Sequence, residues 1–385
     1  MSAPLRIGIL TDGLEERTSA SGVEIANGGV GVYIYNLIRE LQRIEGGPEL
    51  VLVRFGNGAL DVYAGPRTES VGLRSSRWNR YARWIDLPYL GLARRLGLDL
   101  LHYPNQFGGY ALPQAMRRVV TLHDLTPFIL PDHHPWRTVV GYRLLLERSL
   151  RKADHVIVDS EATRKEVLER ALVPAERVSA IALGADVAFS PAAADPSLTA
   201  RYALPARYVL CVGVLEPRKN HGVLVDAVAR LHAMGEAVGL VIAGRDGWGW
   251  QSPLDEPRFA ELRPHVRVLR NVPDRELNAL YAGAAAFAYP SLHEGFGLPV
   301  VEAMASGVPV VTSRTSSLPE VAGGAALLVD PTDPKDLAAR LCEVLRDPAL
   351  RTRLIASGLA HAQQLSWRRT AERTLEVYER VVRSR

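Results

Sequence analysis

Lysine is scarce in this sequence. Only Lys152, Lys165, Lys219 and Lys335 stand among 46 basic residues, the rest being arginine. That is a bias of composition rather than of function, and against it a lysine inside a motif carries weight. Cysteine is scarcer still. Cys211 and Cys342 exclude a disulfide framework and fit a reducing, cytoplasmic compartment. No H-E-x-x-H, no Cys/His cluster and no D-x-D pair occurs, so no catalytic metal and no bound cofactor are expected. No apolar run reaches the length of a membrane span, and no signal-peptide pattern precedes the first strand-like segment. Charge of one sign is also lacking: the net value of +4 is too mild on this chain to argue for a nucleic-acid partner.

What is present is a globular composition, 47% hydrophobic and 23% charged, over 385 residues, enough for two domains. One stretch organises the rest: Ser291 to Gly307, S-L-H-E-G-F-G-L-P-V-V-E-A-M-A-S-G. Ala284 to Tyr289 before it is short and apolar, as a buried parallel strand is. Pro299 suits the first turn of a helix that carries Glu302 and stops at Gly307. Between them Gly295, Phe296, Gly297 and Leu298 form a loop whose backbone can approach a ligand closely. A helix N-terminus there is an anion site, and Glu294 and Glu302 bracket it with carboxylates able to accept from vicinal hydroxyls. Phosphate recognition flanked by two polyol-recognition groups describes a nucleotide sugar.

Glu294 and Glu302, with seven residues between them in E-G-F-G-L-P-V-V-E-A-M-A-S-G-V-P-V-V, resemble the E-x7-E motif of the retaining glycosyltransferases of family 4. The resemblance implies the GT-B fold: α/β, two facing Rossmann-like doubly wound domains with an interdomain cleft. It implies that Glu294 contacts the donor sugar and Glu302 the ribose.

Read in order, the chain begins with a strand at Leu5 to Leu10, a loop from Thr11 to Asn27, a turn Gly28-Gly29-Val30-Gly31 and a helix from Val32 to Ile44. As a dinucleotide fingerprint the turn fails, because Ile34 occupies the place of a third glycine. In the family that the chain resembles, Gly29 and Gly31 approach the donor diphosphate. Strands follow at Glu49 to Phe55, Leu98 to Tyr103 and Arg118 to Leu122, the last running into His123-Asp124 at the end where open α/β sheets hold ligands. By resemblance His123 contacts the donor sugar. Asp124 either joins it or caps the following turn.

Between Arg74 and Arg95 lie six arginines, a single acid (Asp86) and the aromatics Trp78, Tyr81 and Trp84. Arg77, Arg80 and Arg83 recur at helical spacing, so this segment is either an ordinary surface helix or a face for anionic lipid or a charged acceptor.

Helices are expected near Thr138 to Ala153 and Ser160 to Ala171, with a strand at His155 to Asp159 between them. A second α/β unit starts at Arg207. Its strand Tyr208 to Val212 runs into E-P-R-K-N, where Arg218 and Lys219 can clamp a diphosphate, a segment that also resembles the family's diphosphate motif. The loops at Gly244 and Val272 resemble those framing the nucleotide base. Ser316-Ser317-Leu318-Pro319-Glu320 resembles a segment near the donor pocket, and Trp367 to Val382 the C-terminal helix. The expected division is an acceptor-binding domain over 1–190, a linker over 191–206, a donor-binding domain over 207–366 and a helix over 367–385 that returns to the first domain.

The expected activity is transfer of a hexose, with retention, from GDP-mannose or another nucleotide diphosphate sugar to a glycan or lipid-linked acceptor. His123, Arg218, Lys219 and Glu294 are the expected catalytic set. A nicotinamide-dependent Rossmann oxidoreductase and a catalytically silent sugar-binding protein remain alternatives.

Overall fold

The computed structural model describes residues 4–11, 16–19, 22–25, 28–55, 65, 67–73, 94–106 and 116–384. The chain divides into two compact units, one made of Met1–Phe128, Arg137–Leu183 and Trp367–Arg385, the other of Ile129–Trp136 and Gly184–Ser366.

The first unit is built on a seven-stranded parallel sheet. Its strands are β1 (Arg6–Leu10), β4 (Glu49–Phe55), β5 (Thr68–Leu73), β6 (Leu100–Tyr103), β7 (Arg117–Leu122), β8 (His155–Val158) and β9 (Val178–Ala180), in the order β5-β4-β1-β6-β7-β8-β9. The central strands are wholly apolar or nearly so, as strands covered on both faces must be. β5, T-E-S-V-G-L, was not expected as a strand: it is the polar edge of the sheet and carries no apolar run. The expected loop from Thr11 to Asn27 contains an antiparallel ribbon, β2 (Glu16–Ser19) with β3 (Gly22–Ile25). The expected glycine turn also differs. Helix α1 (Gly28–Arg43) begins at Gly28, so Gly29 and Gly31 lie in its first turn. Gly28 at φ 58° starts the helix, and the glycines beyond it cost helix propensity but block nothing.

Helix α2 (Glu161–Glu169) follows β8, with Ser160 Oγ accepting from the Thr163 amide as N-cap. The preceding helical segment is interrupted by a π turn over Tyr142–Leu146.

The second unit has a six-stranded parallel sheet. Its strands are β10 (Tyr208–Val212), β11 (Gly239–Gly244), β12 (Val266–Arg270), β13 (Ala286–Tyr289), β14 (Val310–Ser313) and β15 (Leu327–Val329), in the order β12-β11-β10-β13-β14-β15. Counted along the chain this is 3-2-1-4-5-6, the doubly wound order, and its direction of winding reverses between β10 and β13. Open α/β sheets bind ligands outside the carboxyl ends of strands at such a reversal. The helices that matter here are α3 (His221–Ala233), α4 (Asp274–Ala282), α5 (Leu298–Ala305), α6 (Pro334–Arg346) and α7 (Pro348–Ala362). A short helix, Pro196–Arg201, lies inside the segment expected to be a linker, capped by Asp195.

The last helix, α8 (Trp367–Arg383), belongs to the first unit and packs on α1. It completes a buried polar chain. The Tyr378 hydroxyl lies 2.6 Å from His102 Nδ1, His102 Nε2 lies 2.8 Å from Thr121 Oγ1, and Thr121 Oγ1 lies 2.9 Å from the Tyr33 hydroxyl. Burial pushes the His102 imidazole down to about 3, so it is neutral and can accept from Tyr378 at Nδ1 while donating to Thr121 at Nε2.

Candidate active site

The reversal point of the second sheet is where the sequence-selected charges meet. β10 leads through Gly213 to Glu216 and then to a tight 3-10 turn, Pro217–Lys219. Asn220, left-handed at φ 60°, ends the turn, and its side-chain amide donates to the carbonyls of Pro290 and Pro331. The turn is thereby tied to the loop after β13, and the Leu292 amide donates to the Arg218 carbonyl at 2.9 Å.

Glu294 sits between the two cations. Lys219 Nζ is 2.5 Å from Glu294 Oε1, and Arg218 Nη1 is 2.6 Å from Glu294 Oε2. The Tyr289 hydroxyl accepts from Lys219 Nζ at 2.6 Å and donates to Glu294 Oε1 at 2.9 Å, and Ser291 Oγ donates to the same oxygen at 2.6 Å. Glu216 supplies the second carboxylate, 2.6 Å from Arg218 Nε. Glu216, Lys219 and Glu294 are all buried. Burial raises the Glu294 carboxyl, but Arg218 and Lys219 more than reverse this and hold it well below the usual carboxylate range. Burial and Arg218 lower the Lys219 ammonium, against the pull of Glu294 and Glu216.

Sequence reasoning assigned Arg218 and Lys219 to a diphosphate and Glu294 to sugar hydroxyls. The structure brings all three together as one neutral cluster of two cations and two acids. Glu216, Tyr289 and Ser291 were not singled out. Charge balance was the available signal for Glu216, since two adjacent cations at a buried strand end require acids.

The loop after Glu294 is hung from the segment after β14. Ser316 Oγ accepts from the Glu294 amide at 3.0 Å, and Ser317 Oγ donates to the Phe296 carbonyl at 2.6 Å. Gly295, Phe296 and Gly297 are buried and Leu298 is half-buried. Gly297 has φ 115°, and a Cβ there would lie 2.7 Å from Leu318 Cδ2, so a side chain would be strained and would have to displace the end of Leu318. Helix α5 begins at Leu298 with Pro299 second. This places Glu302 at the fifth helical position, at the start of the second turn. Its Oε2 accepts from the Tyr281 hydroxyl at 2.9 Å. Burial pushes the Glu302 carboxyl up to about 7, with Asp274 and Asp186 adding and the Tyr281 hydrogen bond opposing.

Gly244 ends β11, where a Cβ would come within 1.8 Å of the Gly213 carbonyl oxygen, so this glycine is demanded by packing at the reversal point. Val272 is half-buried in the loop after β12.

Four expected site residues belong to the first unit. Gly29 is exposed and Gly31 buried in the first turn of α1. Asp124 Oδ1 accepts from the Thr126 amide at 3.1 Å and from Thr126 Oγ1 at 2.7 Å, so its side chain caps the following turn. His123 Nδ1 lies 2.7 Å from Asp159 Oδ2 and its Nε2 lies 3.1 Å from the Pro104 carbonyl, with the Tyr33 ring packed edge-on at 4.9 Å. Burial works against the charged imidazole, but Asp159 outweighs it, and the His123 pKa is raised. Asp159 was not singled out from the sequence. The arginine-rich segment 74–95 lies outside the described residues except for Arg94 and Arg95, both exposed. No group of three or more His, Cys, Asp or Glu suited to a metal occurs among the described residues.

Two family models match the chain: Glycosyltransferase Family 4 over residues 27–189, and Glycosyl transferases group 1 over residues 202–360. O-antigen chain mannosyltransferase B of Escherichia coli is 37% identical over 289 residues, 73% of this chain and 74% of that protein. The serotype-specific mannosyltransferase WbdA of Escherichia coli is 30% identical over 284 residues, but this chain spans only 34% of WbdA's length. Among solved structures, Anabaena HepE in complex with UDP-glucose superposes with a TM-score of 0.72 at 20% identity, covering 98% of this chain and all of that one. Two parallel-sheet Rossmann-like units with a charged site at a sheet reversal define a glycosyltransferase of GT-B fold. The chain belongs to the family 4 glycosyltransferases and is mannosyltransferase-like.

Proposed function

We propose that this glycosyltransferase moves mannose, with retention, from GDP-mannose to an acceptor hydroxyl in polysaccharide, lipopolysaccharide or glycolipid synthesis. The observation that carries the reading is the buried cluster of Arg218, Lys219, Glu216 and Glu294 at the reversal point of the second sheet. Mannose is favoured by the likeness to O-antigen chain mannosyltransferase B, and a nucleotide sugar by the likeness to HepE, whose structure holds UDP-glucose.

Breaking the bond between the sugar and the diphosphate leaves negative charge on the phosphate and positive charge on the ring. Arg218, Lys219 and the N-terminus of α5 answer the first, already oriented by their acid partners, so little reorganisation accompanies the reaction. Glu294 and Glu302 accept from sugar and ribose hydroxyls. His123 contacts the sugar, the glycines of α1 approach the diphosphate, and the loops at Gly244 and Val272 frame the base. The departing phosphate takes the acceptor proton on the face it leaves, which preserves the anomeric configuration. The cations take the place of a metal in this scheme, so turnover should persist in EDTA. Residues 1–190 supply the acceptor side.

A thermal-shift panel of GDP, UDP, ADP and their sugars tests the donor, since a ligand that binds the folded state raises the melting point by mass action. Stabilisation by GDP and GDP-mannose alone supports the reading. NMR of the product's anomeric centre then reports retention, and an inverted product would overturn that part.

No helix among the described residues is long and apolar enough to cross a membrane. We place the protein in the cytoplasm, with peripheral contact to anionic lipid through 74–95. Flotation with vesicles of anionic and of zwitterionic lipid tests this, and equal binding to both removes it.

A further inference from the structure

The carboxyl ends of three neighbouring strands converge on one imidazole. β6 runs into Pro104, β7 into His123 and β8 into Asp159. The Pro104 carbonyl can only accept, so His123 Nε2 carries a hydrogen. Nδ1, 2.7 Å from Asp159 Oδ2, cannot face a carboxylate lone pair to lone pair, so a proton lies between them as well. The pair therefore holds one proton more than a neutral imidazole beside a free carboxylate.

Asp159 shows no other use. It is 3% exposed, and among the described residues its Oδ1 has no hydrogen-bond partner. A carboxylate this deep ordinarily collects several donors. Among the described residues this one serves a single histidine. The other groups around the ring do not compete for the proton. Asp124 is engaged by Thr126, the Tyr33 hydroxyl points its hydrogen bond at Thr121, and His102 on β6 is neutral.

We propose that Asp159 is a positioning residue for the transfer reaction: it keeps Nδ1 of His123 protonated and the ring fixed, so that the Nε2 hydrogen, 3.1 Å from the Pro104 carbonyl, can be shared with a substrate oxygen. It follows that His123 is a donor throughout and is not the base that takes the acceptor proton. The inference rests on the reading of His123 as a sugar contact.

Nitrogen-15 NMR of the imidazole in the intact protein tests the first half without any substrate. Both ring nitrogens should be protonated across pH 6 to 8, a range that brackets the ordinary histidine value of about 6.5. In Asp159→Asn, which can keep both hydrogen bonds by donating its amide to Nδ1, one ring nitrogen should lose its proton. An unprotonated nitrogen in the unaltered protein, or titration near 6.5, overturns the proposal.

With GDP-mannose as donor, Asp159→Asn should lower kcat about 10- to 100-fold, as loss of an outer partner of a functional histidine does. The donor KM should change little, and Asp159→Glu should restore part of the rate. Unchanged kcat in Asp159→Asn overturns the role of Asp159. His123→Ala separates the two layers. Full turnover there removes the reading of His123 on which the inference rests, whereas a crippled His123→Ala beside a fully active Asp159→Asn removes the inference alone.

Discussion

Lys219 and Glu294, 75 residues apart in sequence, share a buried ion pair, with Nζ 2.5 Å from Oε1. Removing either partner leaves the other charged and buried. Lys219→Ala and Glu294→Ala should each cut turnover roughly 100-fold or more. Each should also lose about 3–5 kcal/mol of stability, the usual penalty for an uncompensated buried charge. Denaturant titration and steady-state kinetics measure the two effects separately. The double variant Lys219→Met with Glu294→Gln should recover much of the stability and none of the rate. Near-wild-type rates in both single alanine variants would refute the site.

Glu302 should make stability depend on pH in a definite direction. Its carboxyl is raised from an ordinary 4.5 to about 7 in the folded protein, chiefly by burial. The folded state thus binds the proton more tightly than the unfolded state does. The associated stabilisation is complete below about pH 4.5 and is lost as pH rises through about 7. Glu302→Gln has no such proton to lose. Its melting temperature should therefore gain on that of the unaltered protein between pH 5 and pH 8.5. A difference that stays constant, or moves the other way, contradicts this assignment.

Backbone demands at two glycines should separate by severity. At Gly244 an added Cβ meets the Gly213 carbonyl at 1.8 Å, and no side-chain movement relieves it. At Gly297 it meets the end of Leu318 at 2.7 Å, with φ 115° adding strain of about 1–3 kcal/mol. Gly244→Ala should fail to give folded protein or melt far lower. Gly297→Ala should fold with reduced stability and weakened GDP binding, read by calorimetry.

Tyr378→Phe should cost about 1–3 kcal/mol, because His102 Nδ1 then remains buried without its donor. The loss lies in the first unit, so GDP-induced stabilisation should persist. Parallel thermal shifts with and without GDP check both statements.

The sequence revealed what depends on local pattern. The apolar runs at Tyr208–Val212 and Glu49–Phe55 are strands with the expected limits, and the string around Glu294 is the loop that leads into α5. What depends on partners distant in sequence was not visible. Asp159 is one acid after a strand until folding sets it beside His123, and Glu216 is the first letter of a turn until Arg218 folds back on it. Edge strand β5 is polar because one side of it has no neighbour, so the apolar signal of a covered strand never arises. The glycines at Gly29 and Gly31 argued for a turn on propensity, a weak prior that the start of α1 overrides.

Helix α8 follows the whole of the second unit along the chain, yet its Tyr378 serves His102 in the first unit. The first unit therefore stays unfinished while the whole of the second is being synthesised. Loss of α8 would damage the opening half of the chain, and a fragment ending near residue 190 would expose the surface of α1 that α8 covers. Synthesis through α8 thus acts as a checkpoint on the half that was made first.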